Sequence, residues 1–111
     1  MFICLWKEKT IEVVNNNIIC ELSNILSILG EPTRLSIVIY LLDQEANVTD
    51  ITNHLNMSQP VISHHLRVLK DARILKSCKK GKNIYYTIAS DYVRGIVEES
   101  INMLKVGEQD E

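Results

Sequence analysis

The sequence predicts a mainly α domain with one β-hairpin near its C-terminal end, and three observations point there. Apolar residues recur at three- and four-residue steps over most of the 111-residue chain. The pattern changes after Ala72 to two short β-prone runs around a glycine. A further apolar helix stripe follows. This length suits one domain, taken as residues 1–111, with a modest core.

Ile11, Val14, Ile18, Leu22, Ile25 and Leu29 form the first stripe, and Gly30 is its natural stop. Pro32 suits the first turn of a second helix, where a missing N–H costs nothing. "RLSIVIYLL" is apolar nearly all round, which predicts a central buried helix. "DQEAN" reads as a polar break. Val48, Ile51 and Leu55 mark a third helix, with Asn47 or Thr49 as its cap.

"MSQPVISHHLRVL" looks like a helix with a misplaced proline and two adjacent histidines. If Ser58 is the N-cap, Gln59 and Pro60 occupy the first turn, whose N–H groups have no intrahelical partner to lose. The proline is then a start signal. Ile62, Leu66 and Leu69 make an inward row flanked by Val61 and Val68. Successive helical residues point about 100° apart, so His64 and His65 face different ways. His64 falls outward with Pro60, Ser63 and Arg67, and His65 falls at the core margin as a hydrogen-bonded packing residue.

"ILKSCKK" and "NIYYTI" are strands joined by Lys80, Gly81 and Lys82. Ser90 or Asp91 caps a last helix with the stripe Val93, Val97, Ser100, Ile101 and Leu104, and the tail "VGEQDE" is expected to fray. Two short helices joined by the tight "LNMS" turn, the second followed by a hairpin, describe a winged helix-turn-helix. The order is four helices, two strands and a fifth helix. In that arrangement the second helix of the pair enters the DNA major groove and the wing reaches the backbone.

Charge supports a polyanionic partner, although the net charge is −2. Between Ser58 and Tyr86 stand seven basic residues and one acid, leaving five basic and thirteen acidic residues elsewhere. A positive segment on an acidic body can attract DNA where net charge hides it. Cys4, Cys20 and Cys78 are odd in number and widely spaced, which fits reduced thiols and a cytoplasmic setting. The apolar start "MFICLW" is too short for a signal sequence, and no run is long enough to span a membrane. There is no glycine-rich phosphate loop, no nucleophile with a plausible base and no facing carboxylate pair, so no enzyme is expected.

Over about residues 22–90 the chain resembles the ArsR/SmtB family of bacterial regulators, through "LGEPTRLSIVIYLL", "SQPVISHHLRVLKDARIL" and "KKGKNIYYTI". The resemblance implies a homodimeric repressor on an inverted-repeat operator. Its first and last helices (residues 1–29 and 90–105) would form the dimer. It would contact double-stranded DNA through Gln59, Pro60, Ser63, His64 and Arg67, with Lys79, Lys80 and Lys82 along the wing and Tyr85 or Tyr86 at its base. The family's metal sensors use paired cysteines in the helix before the recognition helix, or Asp and His ligands in the last helix. Here those places read "EANVTDI" and a last segment with no histidine, so neither ligand set can be assembled. Cys4 and Cys20 remain a candidate thiol site for a thiophilic metal ion or for oxidation, with packing as the plainer role. The competing expectation is a winged helix used for protein–protein contact without specific DNA binding.

Overall fold

The structure, a computed structural model, describes residues 14–109. Cys4 and Ile11, with the beginning of the first expected stripe, lie outside the described residues.

Helix α1 spans Asn16–Leu29. The stripe expected it earlier, yet Val14 stands before it, because Asn15 is the N-cap and accepts the Ile18 N–H at 3.0 Å. Asparagine side chains compete for backbone hydrogen bonds and so favour caps over helix interiors. Gly30 ends the helix in right-handed geometry (φ −75°), its N–H bonded to Leu26 O at 2.9 Å.

Helix α2, Pro32–Tyr40, has its proline in the first turn, and the Glu31 carboxylate caps it by accepting the Arg34 N–H. Ile37, Val38 and Leu41 are wholly buried, but Ile39 is 40% exposed. The expectation of burial all round is therefore corrected. One side of α2 opens onto an apolar groove shared with α1 and the last helix.

The polar break holds a two-residue strand, β1 (Ala46–Asn47), too short for periodicity to reveal. Asn47 also caps helix α3, Val48–Leu55, in a reciprocal capping box with Asp50. Asn56 ends α3 at φ 55°, a left-handed conformation that asparagine tolerates, and the chain turns directly into helix α4, Gln59–Asp71. Ser58 has the extended backbone of an N-cap, but its hydroxyl accepts no capping bond, contrary to expectation. Its carbonyl takes the Ile62 N–H instead.

Strands β2 (Leu75–Lys80) and β3 (Asn83–Ile88) form the hairpin, with Lys80 opposite Asn83. The tight turn is thus Gly81–Lys82, and Gly81 takes the positive φ (63°) that its first position needs. β1 pairs with the other edge of β3, giving an antiparallel sheet of order β1-β3-β2. Helix α5, Asp91–Gln109, starts where Ser90 Oγ accepts the Val93 N–H, and it continues into the segment expected to fray. Val93 and Val97 are buried, whereas Leu104 is 65% exposed.

The core gathers Ile37 and Val38 from α2 with Leu41 at its C-cap, Ile51 from α3, and Ile62, Leu66 and Leu69 from α4, closed by Ile74, Leu75, Ile88, Val93 and Val97. Because the inward row of α4 is anchored among all these elements, its outward row is held rigidly at the surface.

Candidate nucleic-acid interface

Helix α4 separates its residues by face. Ile62, Leu66 and Leu69 are at most 1% exposed, which locks the helix against rotation. Pro60, Ser63, His64 and Arg67 are exposed and together line one shallow concavity, and Gln59 is exposed one residue earlier. The surface offers hydroxyl, imidazole and guanidinium groups within two turns of helix. Such groups can read base edges or bind phosphate oxygens.

The adjacent histidines divide as expected. His64 is exposed, while the His65 side chain is only 15% exposed. His65 Nδ1 lies 3.4 Å from Arg34 Nη1 and 3.9 Å from Glu31 Oε2. Arg34 also donates through Nε to the Ile28 carbonyl at 2.9 Å. The Glu31 carboxyl is held below the usual carboxylate range, chiefly by the Arg34 backbone N–H it accepts.

A second depression runs between α4 and the hairpin, lined by Ser63, Leu66, Arg67, Lys70, Asp71 and Tyr86. Sequence reasoning did not assign Lys70 to the interface. The signal was available, since Ser63, Arg67 and Lys70 step by four and three along one helix face.

The wing residues do not share one direction. Side chains alternate along a strand, and Leu75 is buried, so Lys79 lies on the sheet face toward the core and Lys80 on the other. Tyr86 faces α4 with Ser77 and Ala46 as neighbours in register. Tyr85, opposite Cys78, lies on the far face, where Lys80 Nζ sits 5.5 Å from its ring centroid. Lys80 is also ion-paired with Glu45, and that hydrogen bond holds its ammonium above the usual lysine range. Lys79, Lys82 and Lys80 are all exposed, but Lys80 has an acidic partner already in place.

Apolar side chains are exposed on the side built by the first and last helices. Ile18, Ile19, Leu22 and Leu26 on α1 and Ile96, Met103 and Leu104 on α5 are each 40–67% exposed. Ile39 adds to them across the groove between α1, α2 and α5. Exposed apolar side chains gathered around such a groove, with Leu26, Ile39, Ile96 and Leu104 lining it together, mark an interaction surface. Cys20 is exposed on α1, and Cys78 is exposed on β2.

Comparison with known proteins agrees with this geometry. The sequence profile of the bacterial regulatory protein, arsR family, matches residues 31–77, from the α2 cap into β2. The chain is 32% identical over 89 residues to the transcriptional repressor SdpR of Bacillus subtilis (strain 168), spanning 80% of this chain and 99% of that one. The crystal structure of the transcriptional repressor PagR of Bacillus anthracis superposes with a TM-score of 0.69 at 30% identity, covering 76% of this chain and 97% of that one. A homodimeric winged helix-turn-helix DNA-binding domain from Mycobacterium bovis has the same fold, with a TM-score of 0.79 at 19% identity over 89% of this chain and 94% of that one. The fold is a winged helix-turn-helix, with α3 and α4 as the helical pair and β2–β3 as the wing. The chain belongs to the ArsR family of bacterial regulatory proteins.

Proposed function

We propose that this protein is a transcriptional repressor that binds an inverted repeat in promoter DNA as a homodimer. Helix α4 enters the major groove and the β2–β3 wing lies along the adjacent backbone. The observation that supports this reading best is the division of α4 into a buried row and an exposed row of Pro60, Ser63, His64 and Arg67. Arg67 is suited to guanine or phosphate, and Gln59 to adenine. Lys79 and Lys82 serve as phosphate contacts on the wing, and Lys80 joins them when a phosphate displaces Glu45. Lys70 reaches the backbone from the end of the recognition helix. Tyr85 supports the wing beneath Lys80. The exposed apolar faces of α1 and α5 form the dimer, which sets two α4 helices about one DNA turn apart.

The test is selection of a duplex from a random pool, followed by titration of the full-length protein. A palindromic consensus bound at nanomolar concentration, with affinity falling steeply as salt rises, is the expected outcome. Arg67→Ala should cost about 1–3 kcal/mol and relax base preference at its position. Weak, sequence-indifferent binding would overturn the reading. Partner binding untouched by His64→Ala with Arg67→Ala would favour a protein-interaction module instead.

The effector is a separate question. Any inducer must prefer the low-affinity conformation, with coupling of about 1–3 kcal/mol. The sequence nominates the Cys4–Cys20 thiols, of which only Cys20 lies among the described residues, exposed on the dimer helix. Titrating the DNA complex with zinc, cadmium, arsenite and an oxidant, with and without Cys4→Ser and Cys20→Ser, decides whether they sense anything.

A further inference from the structure

We propose that Arg34 is a positioning residue for DNA recognition. It ties the end of the dimer helix to the recognition helix through His65, and protonation of His65 releases that tie. This rests on α4 being the DNA-reading helix.

The geometry joins three elements at one side chain. Arg34 belongs to α2, its Nε donates to the Ile28 carbonyl of α1 at 2.9 Å, and its Nη1 reaches His65 Nδ1 on α4 at 3.4 Å. Ile28 lies two residues beyond Leu22–Leu26, the stretch of α1 assigned to the dimer face. His65 stands between His64 and Arg67 on α4, so a side-chain tie at His65 acts on the same turn of helix that presents them. Sub-ångström changes at the dimer helices thus have a direct polar route to the recognition helix.

A guanidinium can only donate, so its bond to Nδ1 requires the neutral ring with its proton on Nε2. Protonation removes that acceptor and sets two cations side by side. The Glu31 carboxylate, 3.9 Å from the same nitrogen, then becomes the better partner. Neutral His65 belongs to Arg34, and charged His65 belongs to Glu31. The other titratable group facing the ring is His64, at 5.5 Å between centroids. Among the described residues no other ion pair or side-chain hydrogen bond reaches it.

The sign of the effect follows. If the DNA-reading arrangement holds neutral His65, acidification that protonates the ring weakens binding. Exposed His64 works the other way, because its charged form attracts phosphate. The two are separated by measuring affinity against pH for the full-length dimer on the selected duplex. The series comprises wild type, His64→Gln, His64→Gln with His65→Asn, Arg34→Ala and Arg34→Lys. Asparagine keeps an acceptor near the position of Nδ1 and cannot be protonated.

His64→Gln should lose affinity roughly tenfold toward acid, the scale of one charge-assisted hydrogen bond. Adding His65→Asn should flatten that profile. Arg34→Ala should bind weakly at every pH, and Arg34→Lys should restore little, because an ammonium cannot span both acceptors. Sedimentation and thermal melting of each variant identify loss of dimer or fold, and His65→Asn decides the matter if Arg34→Ala does not fold. An acid-sensitive profile that survives His65→Asn would place the proton elsewhere, with His54 the remaining imidazole, and overturn the proposal. So would wild-type affinity and pH profile in Arg34→Ala. Failure of wild type to select any duplex is a different result, which overturns DNA recognition itself.

Discussion

Single residues carry several of the fold's decisions, and Arg73 is the plainest. It sits just past α4 at φ 63°, with its N–H on Lys70 O at 2.9 Å and the Ile74 N–H on Leu69 O at 3.0 Å. That is the Schellman pattern, in which glycine is the usual occupant of the left-handed position. An L side chain there costs about 1–2 kcal/mol, so Arg73→Gly should raise stability by about 1 kcal/mol, with Arg73→Asn giving part of the gain. Urea unfolding at fixed protein concentration checks this, and a fall in midpoint would mean that the arginine makes compensating contacts. Position Arg73 shows where sequence reading stops, because its residue type gives no hint of a left-handed turn. By contrast, the separation of His64 from His65 was legible, since a helix of known start fixes which way each residue points. The start came from Pro60, and Ser58 marked the place correctly while contributing no hydroxyl bond. A residue's position in a motif is thus easier to read than the bond it makes.

At the scale of elements, periodicity is informative only when a segment is long enough to show it. The stripes of α3, α4 and α5 cover two turns or more and were readable, whereas β1 has two residues and was not. Yet β1 matters to the wing. It fixes the free edge of β3 by pairing Ala46 with Tyr86 and Asn47 with Tyr85, and it places Glu45 beside Lys80. A wing that sequence presents as three equivalent lysines is therefore unequal in the structure. Lys79→Ala and Lys82→Ala should each lower the magnitude of the log–log salt slope of DNA binding by about two, one phosphate contact per subunit of the dimer. Lys80→Ala should lower it less, because binding must first break the Glu45 pair. Glu45→Gln should do the opposite, freeing an ammonium and removing a negative charge near the phosphates. Binding isotherms over a salt series for these four variants distinguish the two classes, and a Lys80→Ala slope equal to those of Lys79→Ala and Lys82→Ala, with Glu45→Gln like wild type, would show that the pair has no bearing on DNA. Asn47 offers a check on the element itself. Asn47→Ala removes the cap of α3 and should cost about 1 kcal/mol of stability.

The molecule as a whole separates its chemistry onto two surfaces, one polar and basic around α4 and the wing, the other apolar along α1 and α5. The first was visible in sequence as a basic segment within an acidic chain. The second was visible as stripes, but a stripe does not say whether it faces its own core or a second copy. Exposure settles that point for each residue. Val93 and Val97 turn inward, while Leu22, Leu26 and Leu104 remain in contact with solvent. Leu22 lies outside the buried core and is 48% exposed, so Leu22→Glu should leave the protomer folded. In a dimer built on α1, the same change buries an unpaired carboxylate on both sides of the twofold axis, a cost of several kcal/mol. The variant should sediment as a monomer with an unchanged circular dichroism spectrum. On DNA it should keep only half-site affinity, with the salt slope cut roughly in half as one subunit's phosphate contacts are lost. A folded Leu22→Glu protein that still dimerises and binds the full operator would move the interface off α1, and with it the spacing of the two recognition helices.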